Sequence, residues 1–146
     1  MEKPCEESFF RLIALTGLAL RSYADQRLKN YDLTVEQLQV LKQADIAGGQ
    51  AQNKLSLLTS KSPANMTRIL DRLEKKDRIV RRLNPDDRRS SLIFLTKDGK
   101  TLKDEVINLL ESLQAELVEG ISHEKQLVAI EVLSEIKNKI DNMSQK

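Results

Sequence analysis

Positive charge is concentrated in one short part of the chain, residues 61–89. This segment holds ten basic and five acidic side chains, whereas the whole chain of 146 residues has a net charge of only +2. Basic and acidic side chains balance before the segment, and acidic ones are in excess after it. One surface is therefore suited to contact a polyanion, although a solvated basic face would give the same count.

Five residues at the start of this segment are of types that recognise DNA. Arg68 can donate a bidentate pair of hydrogen bonds to guanine, and Asn65 can make the equivalent pair with adenine. Ser62 and Thr67 lie in the first turns of a predicted helix, where free amides commonly bind phosphate. Lys61 precedes that helix and is expected to help hold the same register on the DNA backbone.

Three further candidates, Asp87, Arg88 and Arg89, lie in a charged connection between two strand-like runs. The runs, residues 79–83 and 92–95, are rich in Ile, Val and Phe, so they predict a β-hairpin with an extended tip. Arginines at such a tip gain from the negative potential of a narrow minor groove. Asp87 would repel phosphate, and we expect it to orient an arginine through a charge-assisted hydrogen bond.

The helix that must present the first group is predicted over about residues 63–76. Ser62 as N-cap and Pro63 in the first helical position are a strong start signal. Apolar residues recur at i, i+3, i+4 and i+7 along one face only, namely Met66, Ile69, Leu70 and Leu73. The opposite face carries Ala64, Arg68, Asp71 and Lys75, with Asn65 and Arg72 at its edges, so Arg72 joins the candidate DNA contacts.

The remaining pattern is mainly helical. Amphipathic or short apolar helices are expected over about 6–29, 34–46, 52–59, 97–119 and 123–142. Thr34 and Gln37 have the form of a capping box at the start of the second of these helices. Two short helices joined by a four-residue turn and followed by a basic hairpin are the layout of a winged helix-turn-helix. The predicted fold is therefore mainly α with a small β-hairpin wing, and its interior is expected to be aliphatic.

The sequence offers little for catalysis, metal binding or membrane insertion. His123 is the single histidine and has no metal-ligand partner nearby, and no glycine-rich phosphate loop occurs, so no enzyme activity, cofactor or metal is expected. Cys5 is the single cysteine, which leaves an ordinary thiol and a redox switch as alternatives. No apolar run is long enough to cross a membrane and no signal peptide is evident, so a cytoplasmic location is expected.

Four short motifs resemble those of the MarR family of bacterial regulators. They are DRLEKK at residues 71–76, IVRR at 79–82, PDDRR at 85–89 and LTKDG at 95–99. Residues 33–41 also look like the second helix of that family. The sequence departs from the pattern at Asp77, where the family usually has glycine, and at Cys5, which precedes the position of the family's redox-sensing cysteine.

The resemblance implies a homodimer that binds pseudo-palindromic duplex DNA and often releases it when a small-molecule effector binds. The family's Asp-x-Arg wing motif falls on Asp87 and Arg89, and its Thr-Arg pair falls on Thr67 and Arg68. The expected function is that of a ligand-responsive, sequence-specific transcription regulator, most simply a repressor. The alternative is a helical dimer that binds a protein or an acidic partner without reading DNA sequence.

Dimerisation is also expected from the amount of apolar surface. Three long helices carry more apolar stripe than one winged domain of this size can cover, so a second copy is the expected partner. We predict a winged helix-turn-helix domain over residues 33–97. Residues 5–32 and 98–143 are predicted to form a helical dimerisation region within the same compact chain.

Overall fold

The computed structural model describes the backbone of residues 5–145 and the side chains of residues 8–145. The predicted alternatives for the Cys5 thiol therefore concern a side chain outside the described ones. The helices of this range are α1 (Cys5–Leu28), α2 (Val35–Ala44), α3 (Gln52–Leu58), α4 (Pro63–Lys75), α5 (Lys97–Leu117) and α6 (His123–Ser144). A short 3-10 helix, Lys29–Tyr31, follows α1, and the strands are β1 (Gln50–Ala51), β2 (Ile79–Leu83) and β3 (Ser91–Leu95).

This architecture confirms the predicted fold class, a mainly helical chain with a small hairpin. The chain forms two compact units, one up to Leu110 and one from Glu111 onward. The division into a DNA-binding domain and a helical dimerisation region stays a prediction. None of the helices in the described part of the chain is long and apolar enough to cross a membrane.

Helix α4 begins and ends where the sequence predicts, and its ends are well defined. The Ser62 side chain accepts a hydrogen bond from the Asn65 amide at 3.2 Å. At the other end, the Asp77 amide donates to the Glu74 carbonyl at 3.0 Å, and the Arg78 amide donates to the Leu73 carbonyl at 2.9 Å. This double closure is a Schellman motif, and Asp77 adopts the left-handed conformation that the motif requires, with φ of +57°. Asp77 thus takes the backbone conformation for which glycine is usual.

The sheet contains one strand that the sequence does not predict. Strands β2 and β3 form the expected antiparallel hairpin, and β1 pairs with the other edge of β3, opposite Leu92 and Ile93. The two-residue length of β1 is too short for any periodic signal. Gly49 precedes it with φ of +78°, and a Cβ there would lie 2.7 Å from the Phe94 ring. Glycine is therefore required where the loop enters the sheet.

The core lies among α2, α3, α4, the hairpin and the first half of α5, and it is aliphatic as predicted. Its fully buried large side chains are Leu28, Val40, Leu41, Leu55, Met66, Leu70, Leu73, Ile79, Ile93 and Val106. All four residues of the predicted α4 stripe are buried. On α3, Leu55 is buried, whereas Leu57 and Leu58 are exposed.

The base of the hairpin is joined tightly to α4 and α5. The Thr96 hydroxyl donates to the Asp77 carbonyl at 2.6 Å and accepts from the Gly99 amide at 3.0 Å. The Thr96 amide donates to the Arg78 carbonyl at 3.1 Å. A Cβ on Gly99 would lie 1.9 Å from that same carbonyl oxygen. The LTKDG motif therefore places the first turn of α5 in direct backbone contact with the end of α4.

We predict that Gly99→Ala destabilises the fold, because no side chain fits against the Arg78 carbonyl. The free energy of unfolding should fall by about 1–3 kcal/mol, as expected for overpacking against rigid backbone. Thr101→Ala introduces the same side chain at an exposed position of the same helix and should change stability by no more than about 0.5 kcal/mol. Chemical denaturation of both variants measures this difference, and equal stability of the two would show that the close approach does not exist.

A partly buried ion pair joins the end of α2 to α5. Lys103 pairs with Asp45 and also lies 2.9 Å from Asp104. The hydrogen bond from Lys103 lowers the pKa of Asp45 below its ordinary value of 3.8. A carboxyl group with a lowered pKa stabilises the folded state above its ordinary pKa, and this stabilisation is lost as the pH falls through the folded-state pKa.

Asp45→Asn should therefore lower the free energy of unfolding at neutral pH, and the deficit should shrink as the pH falls below 3.8. Denaturant unfolding over a pH series measures both quantities. Glu105→Gln, a charge loss at an exposed residue of α5, serves as the control and should show little deficit at any pH. A deficit for Asp45→Asn that does not change with pH would indicate lost packing rather than lost charge.

Candidate nucleic-acid interface

The structure places six of the nine predicted contact residues along two sides of the N-terminal half of α4. Asn65, Arg68 and Arg72 line a groove of about 230 Å³ beside the start of α2 and the Arg21 region of α1. Lys61, Thr67 and Arg89 line a cleft of about 480 Å³ between α3, the start of α4 and the hairpin. The face of α4 between this groove and this cleft is polar and exposed. It is the face that the helical spacing predicts to contact DNA.

Four arginines of this region have free guanidinium groups. Arg68 and Arg72 are exposed on α4, and Arg88 and Arg89 are exposed at the hairpin tip. Among the residues that the structure describes, none of these four side chains has an ion-pair partner. Their charges are therefore available to an external anion.

Lys61 stands in contrast, because its charge is already paired. Its Nζ lies 2.6 Å from Glu36 Oε1, and Arg21 Nη2 lies 2.8 Å from the same oxygen. The hydrogen bonds from Lys61 and Arg21 hold the pKa of Glu36 below its ordinary value. The Lys61 side chain is only 17% exposed. To bind a DNA phosphate, the Lys61 ammonium group must either leave Glu36 or contact Glu36 and the phosphate at the same time.

Thr67 is held in a short hydrogen-bonded chain that the sequence does not predict. Its hydroxyl donates to the Pro63 carbonyl at 3.0 Å and accepts from Gln52 Nε2 at 3.3 Å. Gln52 begins α3, so the link joins the two helices of the helix-turn-helix. Nothing in the local sequence around Gln52 signals this contact, because the two residues meet only when α3 packs against α4.

The hairpin tip is shaped by side chains that bind its own backbone. Asp87 Oδ1 accepts the Arg89 amide at 2.9 Å, and Asn84 Oδ1 accepts the Asp86 amide at 3.0 Å. Asp87 therefore holds Arg89 through its main-chain amide. The sequence predicts a hydrogen bond to an arginine but does not say to which of its groups. The Ser90 hydroxyl lies 3.4 Å from Asn53 Oδ1, which brings the tip against α3. Asn53 is a further neighbour of the cleft that sequence reasoning missed.

No cluster of metal-binding side chains occurs in the described part of the chain. Within the described side chains, no group of three or more His, Cys, Asp or Glu residues comes together in a way that could hold a metal ion. What the arrangement offers is an exposed helix face with hydrogen-bond donors and a flanking hairpin with free guanidinium groups. These are groups for binding an anionic surface.

The winged helix agrees with the results of comparison with known proteins. A family model described as the MarR family matches residues 33–91. A cysteine-to-serine mutant of MarR from E. coli, solved in complex with operator DNA, is 25% identical with a TM-score of 0.80, and the match covers 92% of this chain and 99% of that one.

Two further structures show the same fold over similar lengths. A transcriptional regulator of the MarR family from Rhodococcus sp. RHA1 is 24% identical with a TM-score of 0.81, covering 92% of this chain and 96% of that one. CouR from Rhodococcus jostii RHA1, bound to p-coumaroyl-CoA, is 24% identical with a TM-score of 0.78, covering 92% and 95%. These matches confirm the resemblance seen in the four motifs: residues 33–91 match the MarR family model, and the chain has the winged helix-turn-helix fold of these structures.

Proposed function

We propose that this protein is a sequence-specific, DNA-binding transcription regulator that acts as a homodimer and responds to a small-molecule effector. The observation that carries the proposal is the set of free arginines on the exposed face of α4 and on the hairpin tip. The similar E. coli MarR mutant was solved with operator DNA, and the similar CouR was solved with p-coumaroyl-CoA. Repression is the mode of action that we propose.

Helix α4 is proposed to enter the major groove. Its N-terminal half presents the exposed Arg68 and the half-buried Asn65, whose guanidinium and amide groups can each make a bidentate pair with a base edge. Arg72 lies one turn further along and is proposed to reach the backbone. Ser62 and Thr67, with the free amides of the first turn, are proposed to bind phosphate, and Lys61 is proposed to assist them.

The hairpin is proposed to reach the adjacent minor groove. Arg88 and Arg89 have exposed, unpaired guanidinium groups at its tip, and Asp87 holds the backbone of Arg89. An arginine in a narrow minor groove is favoured by the enhanced negative potential there. Each monomer would thus contact two neighbouring grooves of one DNA duplex.

A second copy of the chain is proposed to cover apolar surface that one copy leaves exposed. On α1 the exposed large apolar residues include Phe9, Phe10, Leu12, Leu15, Leu18 and Leu20. On α6 they include Leu127, Val128, Ile130, Val132, Leu133, Ile140 and Met143. Soluble proteins seldom leave so much apolar surface in water. We propose that residues 5–32 and 98–143 supply the dimer contacts and that residues 33–97 bind DNA.

A two-fold dimer would hold its two α4 helices about 34–36 Å apart, one turn of the DNA helix. This spacing would match an operator with two inverted half-sites. Members of the MarR family are transcription regulators, and we propose no catalytic activity for this chain. Its site of action would be the chromosome, so we place it in the bacterial cytoplasm and on the nucleoid when it is bound.

We predict that Arg89→Ala weakens duplex binding by about tenfold or more, because a charge-assisted contact to DNA is lost. Gel shifts at low salt with DNA from upstream of its own gene measure this effect, and affinity of the unaltered protein should fall steeply as salt rises. Lys125→Ala, which removes one positive charge at the start of α6, is the matched control and should bind as the unaltered protein does.

The oligomeric state of Arg89→Ala, measured by size-exclusion chromatography with light scattering, should equal that of the unaltered protein. Loss of the dimer in this variant would make Arg89 a structural residue. If the unaltered protein forms no complex with duplex DNA but binds acidic proteins, the DNA-binding proposal is wrong and the chain is a helical dimer with an acidic partner.

A further inference from the structure

Helix α4 carries acidic side chains on or beside the face that the proposed function turns toward DNA. Asp71 lies one turn after Arg68, and its side chain is 60% exposed. Glu74 follows one turn later and is 44% exposed. Unpaired carboxylates at these places would repel the phosphate backbone. Their partner within the protein therefore matters for how DNA can approach α4.

That partner is Arg81, in the middle of strand β2. Its Nη2 forms an ion pair with Asp71 Oδ1, and its Nε lies 3.6 Å from Glu74 Oε1. Its backbone amide also donates to Glu74 Oε2 at 3.2 Å. The Arg81 side chain is only 21% exposed, so these contacts are partly shielded from solvent. Three contacts from one residue thus join the hairpin to the helix.

The position of Arg81 along strand β2 decides where these contacts attach the wing to α4. The base of the hairpin is fixed by Thr96 and Gly99, as described above. Beyond Arg81 the only other described hydrogen bond from the hairpin's tip to a helix is the 3.4 Å contact of Ser90 with Asn53. Strand β1 holds the β3 side of the wing at Leu92 and Ile93, and Arg81, which lies opposite Ile93, attaches the β2 side to α4 between the base and the tip.

The neighbouring arginine behaves differently. Arg82 lies on the other face of the strand, and its guanidinium carbon is 5.2 Å from the centre of the Phe94 ring. This contact lies within the hairpin itself, because Phe94 is on β3, and it does not reach α4. Of these two adjacent arginines, only Arg81 links the wing to the helix.

We propose that Arg81, Asp71 and Glu74 form a positioning cluster that holds the wing at a fixed distance from α4. The cluster lets Arg68 and Arg89 occupy neighbouring grooves of one duplex at the same time. This inference rests on the proposed function, and Arg81 acts through Arg89 rather than by touching DNA. Asp71 and Glu74 would repel phosphate if they were unpaired, and through Arg81 they instead attach the wing to α4.

The substitution Asp71→Asn distinguishes an effect of net charge on DNA binding from an effect of wing position. If only net charge mattered, Asp71→Asn would tighten DNA binding and Arg81→Gln would weaken it. If the cluster positions the wing, both substitutions weaken binding, because each breaks the same junction. The double variant should then bind about as well as either single variant, since residues that act as one unit are not additive.

The test measures binding of the two single variants and the double variant to one duplex, with hydroxyl-radical footprints of each complex. We expect all three to lose about tenfold in affinity and to lose protection at the minor-groove positions of the wing. Lys75→Gln, an exposed charge loss on the same helix, should weaken binding without changing the footprint. Opposite shifts for Asp71→Asn and Arg81→Gln, or an intact wing footprint in both, would overturn the proposal.

A second measurement needs no DNA. Amide hydrogen exchange over residues 79–95 should be faster in Asp71→Asn and Arg81→Gln than in the unaltered protein, and unchanged in Lys75→Gln. Unchanged exchange in all three variants would show that the cluster does not hold the wing. Failure of the unaltered protein to bind any duplex would instead contradict the proposed function, so the two failures are distinguishable.

Discussion

The burial of one face of α4 is the constraint on which the rest of this structure depends. Met66, Leu70 and Leu73 are fully buried, and Ile69 is 5% exposed. Each such side chain contributes roughly 1.5–3 kcal/mol when it leaves water. Rotation of the helix about its axis would expose several of them at once. The polar face with Arg68 is therefore fixed outward, with the half-buried Asn65 at its edge, and the proposed contacts of α4 with bases depend on that orientation.

A second consequence of the packing is that only part of the basic charge is available to DNA. Lysine and arginine side chains that pair with carboxylates of the fold include Lys61 with Glu36, Lys76 with Asp32, Arg81 with Asp71, and Lys103 with Asp45. Arg68 and Arg72 on α4 and Arg88 and Arg89 at the hairpin tip are among the described arginines without such partners. The net charge of residues 61–89 therefore overstates the number of cationic groups that are free to bind a duplex, although the four proposed arginines lie within that segment. Pairing within the protein decides which cations bind and which hold the binding surface together.

Local features of the fold could be predicted from the sequence, and contacts between elements could not. The N-cap at Ser62, the capping box at Thr34 and the stripe of α4 depend on residues within one or two helical turns, so a pattern reveals them. Strand β1 has only two residues and pairs with a strand some forty residues away, which leaves no local signal. The Gln52 contact with Thr67 and the Arg81 cluster likewise exist only after packing. The sequence shows that Asp77 departs from the glycine usual in the family. Its left-handed conformation is required by the Schellman motif that ends α4.

The measurement that tests the central claim most directly is selection of bound sites from a pool of random duplex DNA. A dimer that reads DNA through α4 should enrich one sequence as an inverted repeat, with half-site centres about 10 base pairs apart. Substitution of Arg68 by alanine should relax the preference at one base pair in each half-site and leave the spacing unchanged. Recovery of unenriched sequence from the unaltered protein, or of a single half-site without a repeat, would contradict the account.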